Sequence, residues 1–262
     1  MRSAVLIGIP AIALGVLGGW WFSGFVLIVV CLAAYEIAQL MRASGLHPNL
    51  LVTLAAALLA FCAIRLPGLG IPLAFLLSVL LLASLTWQLR HREGMPIADW
   101  AVGLAGGAYV GWTGGYLAAV RELGNGLDGL WWLAFAVLLT WLADSGAYLV
   151  GSRFGRHRLA PKLSPKKTWE GYIGGVGAAA LGGGVLGMLS PIGPVDGIAV
   201  GILIGLLGIL GDLVESMFKR QANAKDSGNL IPGHGGVFDR IDSLLWAGVI
   251  VFYYATLVAP LT

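Results

Sequence analysis

Apolar runs long enough to cross a bilayer follow one another along the whole chain, and short polar stretches separate them. The pattern predicts nine helical segments, at about residues 4–18, 20–41, 50–66, 71–89, 100–120, 129–151, 171–190, 196–218 and 243–261. The first pair breaks at Gly18-Gly19 and reads either as two spans or as one; the stretch 50–89 can also be re-cut around Pro67 and Pro72. The expected fold is therefore all-α: a polytopic integral membrane bundle of eight or nine helices, since only helices satisfy their own backbone inside hydrocarbon. GxxxG spacings at Gly107/Gly111/Gly115, Gly171/Gly175, Gly183/Gly187 and Gly201/Gly205 mark close helix contacts, within the chain or between protomers.

Composition agrees. Of 262 residues, 58% are hydrophobic and 11% charged, against roughly a quarter charged in soluble domains. Such a chain cannot cover a water-facing surface. The first 30 residues are read as membrane segment rather than signal peptide, because the apolar pattern continues beyond them. Cys31 and Cys62 lie in apolar runs and read as packing residues. Nothing points to nucleic acid.

The positions of the charges carry more. With alternating spans, all of the 16 Lys and Arg except Arg65 and Arg121 fall on the N-terminal side. The bias places the N-terminus and the charged loops in the cytoplasm, with the protein in the inner or plasma membrane. The chain then divides into apolar helices at 1–125 and helices with polar loops at 126–262, within one membrane unit.

Carboxylates within membrane segments are functional candidates, and Glu36, Asp144, Asp212 and Glu215 qualify. Asp212, Glu215, Ser216 and Lys219 share one helix face at i, i+3, i+4 and i+7. An internal pairing with Lys219 is the plainer reading of that face. Asp144 shares a face with Tyr148 just before a basic loop, while Glu36 reads as structural. In that loop Ser164, Lys166, Lys167 and Thr168 gather two ammonium groups and two hydroxyls on a Pro-stiffened turn, a pattern suited to phosphate. The densest polar stretch is 216–242, with Lys219, Arg220, Lys225, Arg240, Asp226, Asp239, Asp242 and the turn Pro232-Gly233-His234-Gly235-Gly236. Backbone N–H groups of such a turn can face an anion. Asp239 reads as a ligand for a hard cation such as Mg²⁺, and Asp242 as a helix cap. His234 has three open roles: phosphate contact, proton donor or turn former. Anion site, carboxylates and membrane together suit phosphoryl or nucleotidyl transfer to a lipid, which needs positioning and charge neutralisation more than a protein nucleophile.

These residues resemble the signature of the phosphatidate cytidylyltransferases. It runs through Ser216, Lys219, Arg220, Lys225, Asp226, Gly228, Pro232, His234, Gly235, Gly236, Asp239, Arg240 and Asp242. Gly211-Asp212-x-x-Glu215, Asp144-x-x-Ala147-Tyr148 and Ser164-Pro165-Lys166-Lys167-Thr168-x-Glu170-Gly171 are also similar, so the resemblance covers about 130–262. It implies that CTP and phosphatidic acid give CDP-diacylglycerol and pyrophosphate. It implies Mg²⁺, with K⁺ as a further cation, and a homodimer. On this resemblance Asp212, Asp239 and Asp144 are the expected metal ligands. Lys166, Lys167, Lys219, Arg220 and Arg240 are expected on phosphates, with Ser164, Thr168, Ser216, Lys225 and His234 also in the site. A CTP-dependent polyprenol or phytol kinase is the competing enzyme. A transporter is disfavoured because the charges gather at one face rather than across the midplane.

Overall fold

The computed structural model describes residues 2–66, 68, 73–90, 94–231, 233 and 235–259. Pro67, Pro72, Pro232 and His234 lie outside the described residues. Nine helices and one hairpin appear among those described: α1 (Arg2–Leu17), α2 (Gly19–Ala43), α3 (Leu50–Arg65), α4 (Leu73–Gln88), α5 (Pro96–Val120), α6 (Asp128–Phe154), β1 (Arg158–Ala160), β2 (Ser164–Thr168), α7 (Trp169–Leu189), α8 (Pro194–Gln221) and α9 (Phe238–Leu257). The all-α membrane expectation holds, with boundaries close to those the apolar runs predict. By length and composition α2, α6, α7, α8 and α9 can each cross a membrane. The 16-residue α3 and α4 rise about 24 Å, short of a core of about 30 Å.

The α1/α2 break falls at Gly18, where the backbone turns to φ 66° and Gly19 follows at 55°. Two successive residues in that region are practical only for glycine. The hairpin was not foreseen: the basic stretch reads as a Pro-stiffened turn, whereas Arg158–Ala160 pairs antiparallel with Ser164–Thr168 around Pro161–Leu163.

The chain packs as two compact units. The first comprises Met1–Ala118 and Phe218–Arg240, the second Ala119–Met217 and Ile241–Thr262. In the first, Val30, Ala33, Ala34 and Ile37 of α2 are wholly buried. Helix α5 meets α3 along Gly107, Gly111 and Gly115: a Cβ on these would strike the carbonyls of Thr53 and Ala57 and the Ile64 side chain. Its Gly106 meets Ile37. The GxxxG repeat on α5 is thus an intrachain contact.

In the second unit small residues join four helices in sequence. Gly175 of α7 lies on the Ala143 carbonyl of α6, Gly183 and Gly197 lock α7 to α8, and Gly201 sits on the Ala179 carbonyl. Gly211 of α8 lies on the carbonyl of Asp242 in α9. Trp132, Phe135, Leu139, Ile204 and Leu245 fill the core between them. Tyr254 donates to Asp196 Oδ1 at 2.7 Å, which provides a partner for a carboxylate on an apolar helix.

The close approaches lead to a paired prediction. Gly111→Ala forces α5 off α3 and costs about 1–3 kcal/mol by overpacking. Gly24→Ala, with nothing within 4 Å of its added methyl, is neutral or mildly stabilising. Thermal unfolding of the two variants in detergent checks the contrast.

Candidate active site

The polar chemistry of the second unit gathers around one cavity of about 600 Å³. Three elements supply its charges. Helix α6 brings Asp144 and Tyr148, the β hairpin brings Arg158, Ser164, Lys166, Lys167 and Thr168, and α8 brings Asp212. The floor is Ala143, Ala147, Gly175, Ile204, Gly205 and Gly208. Small residues there keep the space open, with an apolar surface beneath charged walls.

The hairpin is held rigidly against α7. Thr168 is the N-cap, its hydroxyl accepting from Gly171 N at 3.2 Å. Glu170, two residues on, accepts from Arg156 N at 3.1 Å and His157 N at 3.2 Å, and its other oxygen meets His157 Nδ1 at 2.6 Å. Trp169 N donates to His157 O at 2.9 Å and completes the closure. Sequence reading gave Glu170 no role; here a charged side chain fixes the turn that carries the lysines.

Lys167 forms an ion pair with Asp212 Oδ2, and Ser216 Oγ donates to Asp212 Oδ1 at 3.3 Å. The Asp212/Ser216 face expected from helical spacing is therefore real, but the lysine on it comes from the hairpin. Asp212 also joins Glu215 and Asp242, with one oxygen from each lying within 4.8 Å of the others. Glu215 is buried at 2% exposed. Asp242 comes close because Gly211, beside Asp212, lets α9 touch α8. Sequence reading left Asp242 as a helix cap, but α9 opens at Phe238 and Asp242 lies in its second turn, where its Oδ1 accepts from the amide of the next residue, Ser243, at 2.7 Å. Its proximity to Asp212 depends on a helix contact that spacing alone does not show. Lys167 already supplies one positive charge to this mutually repelling cluster, and an all-oxygen set of this kind suits a hard divalent ion as a further one. The residues present therefore fit Mg²⁺.

The matching family sequence model, described as the cytidylyltransferase family, covers residues 1–258. The chain belongs to the cytidylyltransferase family. A relative from Synechocystis sp. named phosphatidate cytidylyltransferase is 38% identical, with 98% of this chain and 96% of the relative aligned. One of the same name from Pseudomonas aeruginosa is also 38% identical, over 89% and 88% of the two chains. A Haemophilus influenzae relative so named is 48% identical over 132 residues, 48% of this chain and 46% of its own.

The signature loop after α8 belongs to the first unit and is organised by carboxylates. Buried Glu36 of α2 accepts from Val237 N, Phe238 N and Ser227 Oγ, each at 2.8 Å. Asp239 Oδ2 accepts from Ser227 N and Gly236 N at 2.8 Å and lies 2.9 Å from Ser227 Oγ, whose one proton is shared between this carboxylate and Glu36. Its Oδ1 takes the Lys219 ammonium at 2.8 Å. The amides at 236–238, which open α9, are thus engaged by protein carboxylates. Gly236 is required here, since a Cβ would strike Ser227 Oγ and both Glu36 oxygens. Arg220 bonds the Ala224 carbonyl at 3.1 Å, while Lys225 and Arg240 are exposed. His234 falls outside the described residues. The structural reading of Glu36 from sequence agrees with this geometry. Its partners, 191 to 202 residues distant, left no local signal.

Glu36→Gln places an NH₂ against a donor, whichever way the amide turns. Loss of charge-assisted bonds costs about 1.5–3 kcal/mol each. The expected result is a lower unfolding temperature and faster proteolysis within 222–237, read by mass spectrometry. Unchanged cleavage there would remove Glu36 as the latch.

Proposed function

We propose that this chain transfers CMP from CTP to phosphatidic acid, giving CDP-diacylglycerol and pyrophosphate. The observation that carries the reading is the second-unit cavity, where hairpin lysines and hydroxyls face Asp144 and Asp212 over an apolar floor. Family membership and the names of the relatives support the same chemistry. The proposed location is the inner or plasma membrane, with the charged connections in the cytoplasm where CTP is available. A homodimer, which light scattering of the detergent complex would test, is part of the same reading.

An oxygen of the lipid phosphate attacks the α-phosphorus of CTP. The α–β phosphoanhydride bond breaks, and its electrons leave on pyrophosphate. A phosphate monoester is already anionic near neutral pH, its second pKa being about 6, so no strong protein base is needed. Lys166 and Lys167 attract the phosphates, and Ser164 and Thr168 offer hydroxyls beside them. Lys167 also holds Asp212 in place through their ion pair. Asp212, Asp242 and Glu215 would hold Mg²⁺, with Asp144 lining the cavity that Asp212 also lines. When bound, such an ion neutralises charge on the nucleotide phosphates. Ser216, which donates to Asp212, supports the second-unit centre. Phosphate-binding roles for Lys219, Arg220, Lys225, Arg240 and His234 are proposed from the signature. A cation on Asp239 would take the place of Lys219 at Oδ1. The apolar floor and lateral helix faces receive the acyl chains.

The deciding assay uses purified protein in micelles with phosphatidic acid, Mg²⁺, and CTP labelled at the α- or γ-phosphate, with and without K⁺. α-Label is expected in a lipid of CDP-diacylglycerol mass, and γ-label in pyrophosphate. γ-Label in lipid would establish a kinase instead. Chelation by EDTA should stop turnover and added Mg²⁺ restore it.

Asp212→Asn and Asp242→Asn should each lower kcat by about 10²-fold or more, the scale seen when one electrostatic contact is lost from a reaction centre. Their unfolding temperatures should stay near wild type. Asp239→Asn should lose both activity and stability, because it also breaks the loop bonds. Full turnover with either Asp212 or Asp242 neutralised would exclude that residue from the centre.

A further inference from the structure

The first unit contains a second cavity, of about 740 Å³, where α2 and α4 end and α3 and α5 begin. Its basic side chains come from separate elements: Arg42 from α2, His47 from the α2–α3 connection and Arg90 from just beyond α4. All three are exposed. Arg42 Nη2 donates to the Pro48 carbonyl at 3.2 Å, a neutral acceptor that fixes the guanidinium without cancelling its charge. Arg90 stacks over the neutral ring of Trp87 at 5.7 Å. The intervening loop is rigid. Asp99, only 4% exposed, takes His47 N at 2.7 Å, and Asn49 caps α3 by accepting from Leu51 N at 2.9 Å. Asp99 also lines this cavity, with its Oδ1 turned onto the loop backbone.

Two guanidiniums presented around one hollow match the oxygens of a phosphate. The apolar rim decides which phosphate. Trp87 is 46% exposed and Leu51 75%. An aromatic ring beside arginines at the ends of apolar helices marks the headgroup level of a membrane. A soluble anion has no use for that rim, whereas a lipid lays its glycerol and first methylenes against it. We propose that this cavity binds the phosphate headgroup of an anionic membrane phospholipid, as a site separate from the carboxylate-lined cavity of the second unit.

The test uses full-length protein in phosphatidylcholine nanodiscs, with or without phosphatidylglycerol, followed by thermal unfolding. Phosphatidylglycerol should raise the wild-type unfolding temperature. Arg42→Gln/Arg90→Gln should abolish that shift, and Arg90→Gln alone should remove at least half. The single variant guards against loop damage, because the Arg90 guanidinium rests on a ring rather than on the loop. CTP turnover of Arg90→Gln in phosphatidic acid micelles should match wild type. Shifts of equal size in wild type and Arg90→Gln would overturn the proposal. An equal shift from inorganic phosphate in plain phosphatidylcholine discs would overturn the lipid assignment.

Discussion

Placing a charge at a membrane helix is costly, and the structure meets that cost in two different ways. Glu36 and Asp239 are surrounded by donors fixed to the protein: amides of 236–238, the Ser227 amide and hydroxyl, and the Lys219 ammonium. Asp144 and Asp212 instead line a cavity, and Asp212 lies close to Glu215 and Asp242. The first arrangement uses the charge to shape the chain. In the second, Lys167 pairs with Asp212 while Glu215 and Asp242 lie close by, an acidic cluster beside a hollow that on the proposed function receives a cation. Glu36 and Asp239 are covered and need donors fixed to the protein, whereas Asp144 and Asp212 are more open; on the proposed function, that contrast separates loop-forming acids from chemical ones.

Both arrangements depend on backbones that approach closely. Apolar side chains gain little from meeting one another rather than lipid, so membrane helices associate through packing and polar contacts. The second unit uses glycines for this. Gly211 is the decisive one, since its contact with the Asp242 carbonyl brings the acids of α8 and α9 together. In the signature loop Gly228 and Gly236 have a different purpose: the Glu36 carboxylate occupies the space a side chain would fill.

Much of the bundle was legible in the sequence because hydrophobic length and glycine spacing are local properties. All nine segments appear as helices, and the break at Gly18 falls where two glycines permit it. The shared face of Asp212 and Ser216 was readable for the same reason. What could not be read was which distant elements meet. Nothing near Glu36 announces the loop it holds, and nothing near Asp242 points to Asp212. The hairpin escaped notice because its basic residues read as topology signals, while the residue that closes it, Glu170, is one acid among many cations.

The site's chemistry follows from its substrates. A nucleophile that arrives as a phosphate brings its own negative charge, so the protein need not generate one. It must instead bring two anions together against their repulsion. On the proposed function, the hairpin lysines and the carboxylates suited to a divalent ion serve that task, and the apolar floor keeps one reactant in contact with lipid. A Ser-His-Asp or Cys-His arrangement would add nothing, because no acyl group is transferred. Polar density in the signature is therefore divided between two tasks: Asp239, Ser227 and Gly236 build a loop, while Asp212 and Asp242 build a charge centre. Sequence reading expected Asp212 and Asp239 alike as metal ligands and Asp242 as a helix cap. Hydrogen-bond saturation of Asp239 and the clustering of Asp242 distinguish the two groups.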